Sequence, residues 1–510
     1  MPAAHDCERI CPAGSRKKRR GFQWDPYLLT FFIRRHGWQG VEGAYSDSDR
    51  RKLMICTLAG AIITPLMSTM LNLALVDIGD DFGRGSHDLG YINTLFLLGS
   101  VIAMVPAGRL SGIAGMRRIY VTGLAITAAA ASLAALSPSF WFLVGCRFVI
   151  GFGSAMMNVT SIAMLTYVYP ESRRGWALGM NVTAVYLGLT LGPTLGGVIS
   201  DSVGWRGCFA LIICLCAFSM TFVRGIRYEI RPTPDDSMDW KGSVLWGISI
   251  FVLMSGVVNI TETWAAAAVP AGAVLLALTL LRFSRSPSPV LNMRLFRIKT
   301  FTRSGFAAFL NYGASYCVQF FLSLYLQSIG ALTATQAGLL LLVQPAIQVA
   351  LSAKMGAVSD RMEDKRLLPT AGMAIMSAGI AMFIFIGTEF DIWYVVAMMC
   401  LIGTGMGVFS SPNTSVIMSS APPQYRGEAS GVVAVMRQTG MMVSMGIAMA
   451  CISMIMGSAD GLEPERYGVF ADTIHAAFTI CLGMCLAGMA LSWSRGEEGS
   501  EEASEHIRES

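Results

Sequence analysis

The 510-residue chain is 54% hydrophobic and only 14% charged, with a net charge of +5 and a mean hydropathy of +0.54. Soluble chains carry roughly 45–50% apolar and about 25% charged residues, so this chain lacks the charge to cover a surface in water and must be solvated mainly by lipid. Its apolar content excludes disorder, its glycines have no triplet period, and most of its 12 cysteines sit inside apolar runs as small hydrophobes, which excludes collagen and a disulfide scaffold.

The first 52 residues carry RKKRR at 16–20, read as a retained topology signal beside the alternatives of a nuclear signal or an anionic-lipid contact. Cys7 and Cys11 form a C-x3-C next to His5, a weak metal corner. The run YLLTFFI at 27–33 is too short for a secretory signal and no small-residue cleavage site follows it.

A helix needs about 20 mainly apolar residues to cross the bilayer core. Such runs occur near 53–78, 88–108, 118–136, 140–165, 176–200, 206–224, 241–259, 263–282, 304–327, 335–356, 368–387, 392–417, 428–456 and 470–493, which predicts fourteen spans in an all-α integral membrane protein. Alternate connectors hold nineteen Lys and Arg, from Arg109 to Arg426, against three (Arg84, Arg206, Arg466) in the others. The basic side is expected to be cytoplasmic, and an even count puts both termini there. The tail 495–510, with Glu497, Glu498, Glu501, Glu502, Glu505 and Glu509, reads as a solvated acidic end.

The connector after span two reads GRLSGIAGMRR (108–118) and the one after span ten reads GAVSDRMEDKR (356–366). Both open on Gly, place Ser three residues later and close on basic residues. This internal repeat predicts a basic segment 1–52, a six-helix bundle 53–224, a linker 225–303 with two extra spans, and a second six-helix bundle 304–494. Paired halves are how many secondary transporters are built, with the substrate site near the midplane between them.

Span five contains LGLTLGPTLGG at 187–197, with Gly188, Gly192 and Gly196 along one side and Gly197 after them. Small residues at that spacing let two helix backbones approach closely, and Pro193 is expected to bend the helix. Ordinary small-residue packing is the competing reading. The segment resembles the antiporter motif G-x-x-x-G-P-x-x-G-G of the major facilitator superfamily. RFVIGFGSA (147–155) resembles the family's fourth-helix motif with Ile150 where Gln is usual, and MLNLALVDI (70–78) its first-helix motif with Val76 replacing Pro. SPVLNMRLFRIKTF (288–301), LQSIGALTATQAGLLLLVQP (326–345) and YRGEASGVVAVMRQTG (425–440) resemble the second half of fourteen-span drug:proton antiporters.

The resemblance spans about residues 50–495. It implies the major facilitator fold and multidrug-type export by alternating access, coupled to proton influx, in the plasma membrane. It further implies a cytoplasmic gate at Gly108, Arg117, Arg118, Gly356, Asp360 and Arg361, and a fifth helix packed on the eighth-type helix of the other half to seal against leak. The expected partners are the lipid bilayer, a small-molecule substrate and protons, with no nucleic acid, no obligate protein partner, no cofactor and no metal.

Arg147 and Arg437 lie inside spans four and thirteen. A buried Arg costs about 2.5–3.5 kcal/mol on insertion scales, so each calls for a partner or a role. In the family the fourth-helix Arg is linked to proton coupling; the alternative is a side chain capping carbonyls. The usual first-helix Asp is Met67 here, the usual gate Asp is Gly112, and no Asp or Glu falls near a midplane. Coupling then rests on Asp77 or Glu262 at the outer rim, or is absent. Arginines without an acidic partner suggest a cavity that disfavours organic cations and accepts neutral or anionic amphiphiles.

Asn72, Asn158, Asn181, Asn311, Tyr312, Tyr316, Gln319 and Gln344 are cavity candidates, although an amide or phenol in an apolar span more often makes an interhelical hydrogen bond than a substrate contact. No G-x-x-x-x-G-K-[ST] segment supports an ATP-driven pump, and no convergent His, Cys, Asp or Glu at membrane depth supports an enzyme. The remaining alternative is a uniporter, importer or solute sensor of the same fold without proton coupling.

Overall fold

The computed structural model describes residues 47–84, 86–226, 228–258, 263–286, 288–332, 334–456 and 466–495. In lipid no water satisfies the backbone, so each apolar run closes its own hydrogen bonds as a helix. Six helices form the first half: α1 (Asp47–Phe82), α2 (Ser86–Ala114), α3 (Met116–Ala135), α4 (Phe140–Val168), α5 (Glu171–Val203) and α6 (Arg206–Arg224). Two more, α7 (Trp240–Val258) and α8 (Ala265–Arg285), precede the second half of α9 (Lys299–Ser328), α10 (Ala334–Leu341), α11 (Val343–Arg361), α12 (Leu367–Phe383), α13 (Ile392–Ser420), α14 (Arg426–Cys451) and α15 (Tyr467–Trp493). No strand occurs among the described residues.

Eleven of these stretches are long and apolar enough to cross a membrane, and Leu367–Phe383 is a shorter apolar helix. The fourteen crossings read from sequence are therefore not confirmed by length and apolarity alone. α10 and α11 share one such stretch, interrupted at Leu342. Pro345 has no N–H to return to residue 341 and its ring crowds that carbonyl, which explains the break. Between α2 and α3 the chain turns on Gly115, whose φ of 110° is open to glycine at little cost.

The Tyr169 hydroxyl after α4 donates to the Arg50 carbonyl at the start of α1 at 3.4 Å, which places both on one face. That face, which also holds Arg109 and Arg174, is called the basic end below.

The core is bipartite. One buried cluster joins α1–α6 with α7, α8 and the basic ends of α13 and α14. The other fills α9–α15 and takes in Val182 and Tyr186 of α5. The inserted helices pair through Ser249 and Thr279, 2.8 Å apart. α7 lies beside the seam of the halves, with Gly247 against Ile102 of α2 and Gly446 of α14 against Val257.

At the basic end the halves meet in two related contacts. A Cβ added at Gly108 of α2 would stand 2.7 Å from the Gly427 carbonyl of α14. One added at Gly175 of α5 would stand 2.5 Å from the Gly356 carbonyl of α11. In each contact the second helix of one half meets the fifth of the other, and the two glycines that open the repeated connectors occupy equivalent places.

The glycine-rich stretch of α5 meets a different partner from the one expected. Gly188 faces the Ile62 carbonyl and Pro65, Gly192 faces Thr69, and Gly196 faces Met70, all on α1 of the same half. The contact of α5 with α11 is made instead through Gly175 and Gly179, at the basic end. α5 is one helix through position 193, Gly197 is partly buried in it, and the Pro193 side chain lies outside the described residues.

Candidate functional site

Above the two glycine contacts, the halves enclose a small cavity of about 20 Å³. The first half lines it with Ile162, Leu178, Asn181 and Val182, and the second with residues that include Tyr312, Ser410, Asn413 and Arg437. Leu178, Asn181 and Val182 share one face of α5, and Tyr186, one turn on, continues it. Tyr186 lies next to Tyr312 and Ser410. Asn181 Nδ2 is buried on this face without a hydrogen-bond partner, and the Tyr186 hydroxyl and Ser410 Oγ are buried against each other. Buried polar groups are nearly always paired, so the unpaired Asn181 amide on the cavity wall leaves a donor open to a ligand's polar group.

Arg437 is the cation of this site. Its Nη2 donates to Asn158 Oδ1 on α4 at 3.1 Å, a bond that joins the halves across the cavity wall. No lining residue is a carboxylate. On α9, Tyr312, Tyr316 and Gln319 fall at i, i+4 and i+7 and so share a face. Tyr312 lines the cavity, whereas Tyr316 and Gln319 are exposed beyond it, away from the basic end. The structure is thus closed at the basic end, and this face of α9 becomes exposed towards the other.

Other sequence candidates go elsewhere. Asn311 points its Nδ2 at the sulfurs of Met373 (3.0 Å) and Met376 (3.3 Å), within the second half rather than at the cavity. Gln344 is buried on α11 against Gly403 of α13 and is not a cavity-lining residue. The Asn72 side chain, Glu262 and the Cys7/Cys11/His5 group lie outside the described residues. Asp77 is exposed and accepts a hydrogen bond from Ser200, tying α1 to α5 near the glycine contact.

Arg147 is fully buried and has no acidic partner among the described residues. Its guanidinium donates to the carbonyls of Ile92 and Met67, both at 3.3 Å, and to Asn93 Oδ1 at 3.0 Å, and it sits 4.5 Å from the Phe96 ring centroid. This is the carbonyl-capping geometry, and it binds α4 to α1 and α2 away from the cavity. His475 places a ring nitrogen 2.7 Å from the Ile386 carbonyl.

The basic end also holds charges in an arrangement that the spacing does not reveal. Asp360 accepts the backbone N–H groups of Gly175 (2.8 Å) and Trp176 (3.1 Å), at the N-terminus of α5 where a carboxylate is favoured. Arg361 is exposed beside it. The first half, with Gly112 where the family has Asp, uses a different pairing. Arg109 Nη1 lies 2.8 Å from Glu428 Oε1 on α14, and its Nη2 lies 2.9 Å from Asp236 of the linker. Glu428 Oε2 accepts the Asn292 N–H at 2.8 Å. Glu428, at 5% exposure, is the one buried carboxylate among the described residues. Glu229 of the linker accepts the Arg117 N–H at 2.9 Å and lies 3.8 Å from Arg118, so both arginines hold the linker rather than the other half.

The family model described as Major Facilitator Superfamily matches residues 57–445 and 304–509. The riboflavin transporter RibZ of Clostridioides difficile is 25% identical over 390 residues, which are 76% of this chain and 84% of that protein. The multidrug efflux pump LfrA of Mycolicibacterium smegmatis is 25% identical over 428 residues, 82% of this chain and 85% of that one. Among solved structures, the human organic anion transporter MFSD10 superposes with a TM-score of 0.63 at 15% identity, covering 88% of this chain and 100% of that chain. The proton:xylose symporter XylE does so with a TM-score of 0.62 at 13% identity, covering 91% and 100%. At such identities the likeness is one of fold.

Proposed function

The chain belongs to the Major Facilitator Superfamily, and from that premise we propose that it exports neutral or anionic amphiphilic compounds across the plasma membrane by alternating access. It is a multi-pass membrane transporter of small molecules. The observation that carries the finer reading is the cavity between the halves, which is lined by Arg437 and the unpaired Asn181 amide and by no carboxylate. A relative named as a multidrug efflux pump supports the direction. A relative named as a riboflavin transporter supports a polar aromatic cargo as well.

Ligand sites span about 300–1,000 Å³, so a cavity of about 20 Å³ is an occluded remnant that admits substrate only when the halves part. By the positive-inside rule the basic end faces the cytoplasm, and loading for export occurs when the glycine contacts there separate. On this reading a carboxylate such as Asp77, exposed at the opposite end of α1, exchanges a proton with the outside. A second reading, transport without proton coupling, is favoured by the absence of an acid from the cavity lining.

Everted vesicles test both. The wild type is expected to accumulate an anionic dye, and Arg437→Gln to lower kcat/KM for that dye about ten- to a hundredfold, the worth of a charge-assisted hydrogen bond. A neutral dye should lose far less. Collapse of the pH gradient stops accumulation if protons drive it and leaves equilibration intact if they do not. Export of a cationic dye alone refutes the substrate assignment.

A further inference from the structure

The basic end of the second half holds a buried cation with no anion beside it among the described residues. Arg495, two residues beyond α15, is only 2% exposed. Its Nη2 donates to Asn413 Oδ1, while Nε and Nη1 have no partner. Burial lowers its guanidinium to about 9, so it stays charged at neutral pH. A buried charge without a counter-charge is among the costlier features a fold can keep.

Its surroundings are also unsatisfied. Ser304 Oγ on α9 and Ser492 Oγ on α15 are buried without partners. Gly488 of α15 faces Ala307 and Leu310 of the antiparallel α9, so Ser492, one turn on, comes level with Ser304. Asn413 links this cluster to the transport cavity. It accepts from Arg495, donates its Nδ2 to the Ser304 carbonyl at 3.1 Å, and lines the cavity.

We infer that Arg495, Ser304 and Ser492 form an oxyanion subsite between the basic face and the central cavity, which takes the carboxylate of an amphiphilic substrate before Arg437 does. The inference rests on the reading of the cavity as a site for anionic amphiphiles. The guanidinium fork matches a carboxylate edge, and the two serine hydroxyls supply further donors. Along this route an anion would pass from Arg495 past Asn413 to Arg437 without crossing a buried acid among the described residues.

The test is a binding titration of purified full-length protein with 1-naphthoate and its neutral isostere 1-naphthamide, in wild type, Arg495→Gln, Arg495→Lys and Arg437→Gln, each first checked for an unchanged thermal midpoint. Wild type is expected to prefer naphthoate. Arg495→Gln should lose about tenfold or more of that preference with naphthamide affinity unchanged, and Arg495→Lys should fall between. If Arg495→Gln weakens both probes alike, or keeps the full preference, the subsite is overturned. Loss of preference in Arg437→Gln with none in Arg495→Gln leaves the cavity reading standing and removes the subsite. Absence of any preference in the wild type overturns both.

Discussion

Arg109→Glu is expected to abolish export, and adding Glu428→Arg is expected to restore a large part of it. Arg109 and Glu428 are nearly buried, at 6% and 4% side-chain exposure, and they join α2 of one half to α14 of the other. Removing one partner of such a pair costs about 3–5 kcal/mol, because the other is left buried and uncompensated. In Arg109→Glu two carboxylates meet across the seam, and the basic end should stay apart. The equilibrium against closure then shifts by at least about a hundredfold, at 1.4 kcal/mol per decade. The swap re-forms an attraction of opposite polarity. Recovery is incomplete for two reasons: a guanidinium at position 428 cannot accept the Asn292 N–H, and a carboxylate at position 109 faces Asp236. That second repulsion is screened, since Asp236 is 43% exposed, and adding Asp236→Asn should raise the recovery. Vesicle transport normalised to folded protein reads all four variants. A swap as inactive as either single change would show that the pair does not hold the halves together.

Gly179→Val and Gly188→Val are expected to fail in different ways. A Cβ at Gly179 would stand 2.7 Å from Ala353 Cα and the Ser352 carbonyl of the other half. One at Gly188 would stand 2.6 Å from the Ile62 carbonyl of the same half. Backbone cannot yield as a flexible side chain does, and overpacking of this kind costs about 1–3 kcal/mol. Gly179→Val should therefore wedge the basic end apart, so that a cysteine at the buried position Ser352 becomes reactive to an impermeant maleimide added from that face. Gly188→Val should lower the thermal midpoint while position 352 stays protected. The opposite pattern would return the glycine-rich stretch to the role of a seal between halves.

These outcomes bear on what a sequence can reveal. The apolar runs, the four-residue glycine spacing and the repeated connectors are periodic signals, and periodicity fixes which residues share a face. It does not fix what that face meets. Gly188, Gly192 and Gly196 line up as expected yet lie against α1, while the cross-half contact falls on Gly175 and Gly179 in a less regular stretch. Asn311 and Asn181 have the same signature of a lone amide in an apolar helix, but one turns to methionine sulfurs and the other to the cavity. Arg109 and Glu428 are 319 residues apart, and each reads alone as an ordinary residue at a span end. Arg495 reads as the first residue of a solvated acidic tail, yet it is buried at 2% exposure, because burial is a tertiary property. The Asp missing at Gly112 is visible in the chain, but the pairing that closes the same seam is not. Tyr186 is within reach of the sequence: it continues the cavity-lining face of α5 at helical spacing.

The central claim is that two halves pivot about a shared cavity, closed at the basic end in this structure. Distances between spin labels test it most directly, with one pair at Ser172 and Arg361 across the basic end and another at Val203 and Leu339 across the opposite end, all exposed positions. Under turnover with an anionic substrate, the basic-end pair should lengthen in the same population in which the opposite pair shortens. If both pairs stay fixed while substrate crosses the membrane, or lengthen together, the halves do not alternate.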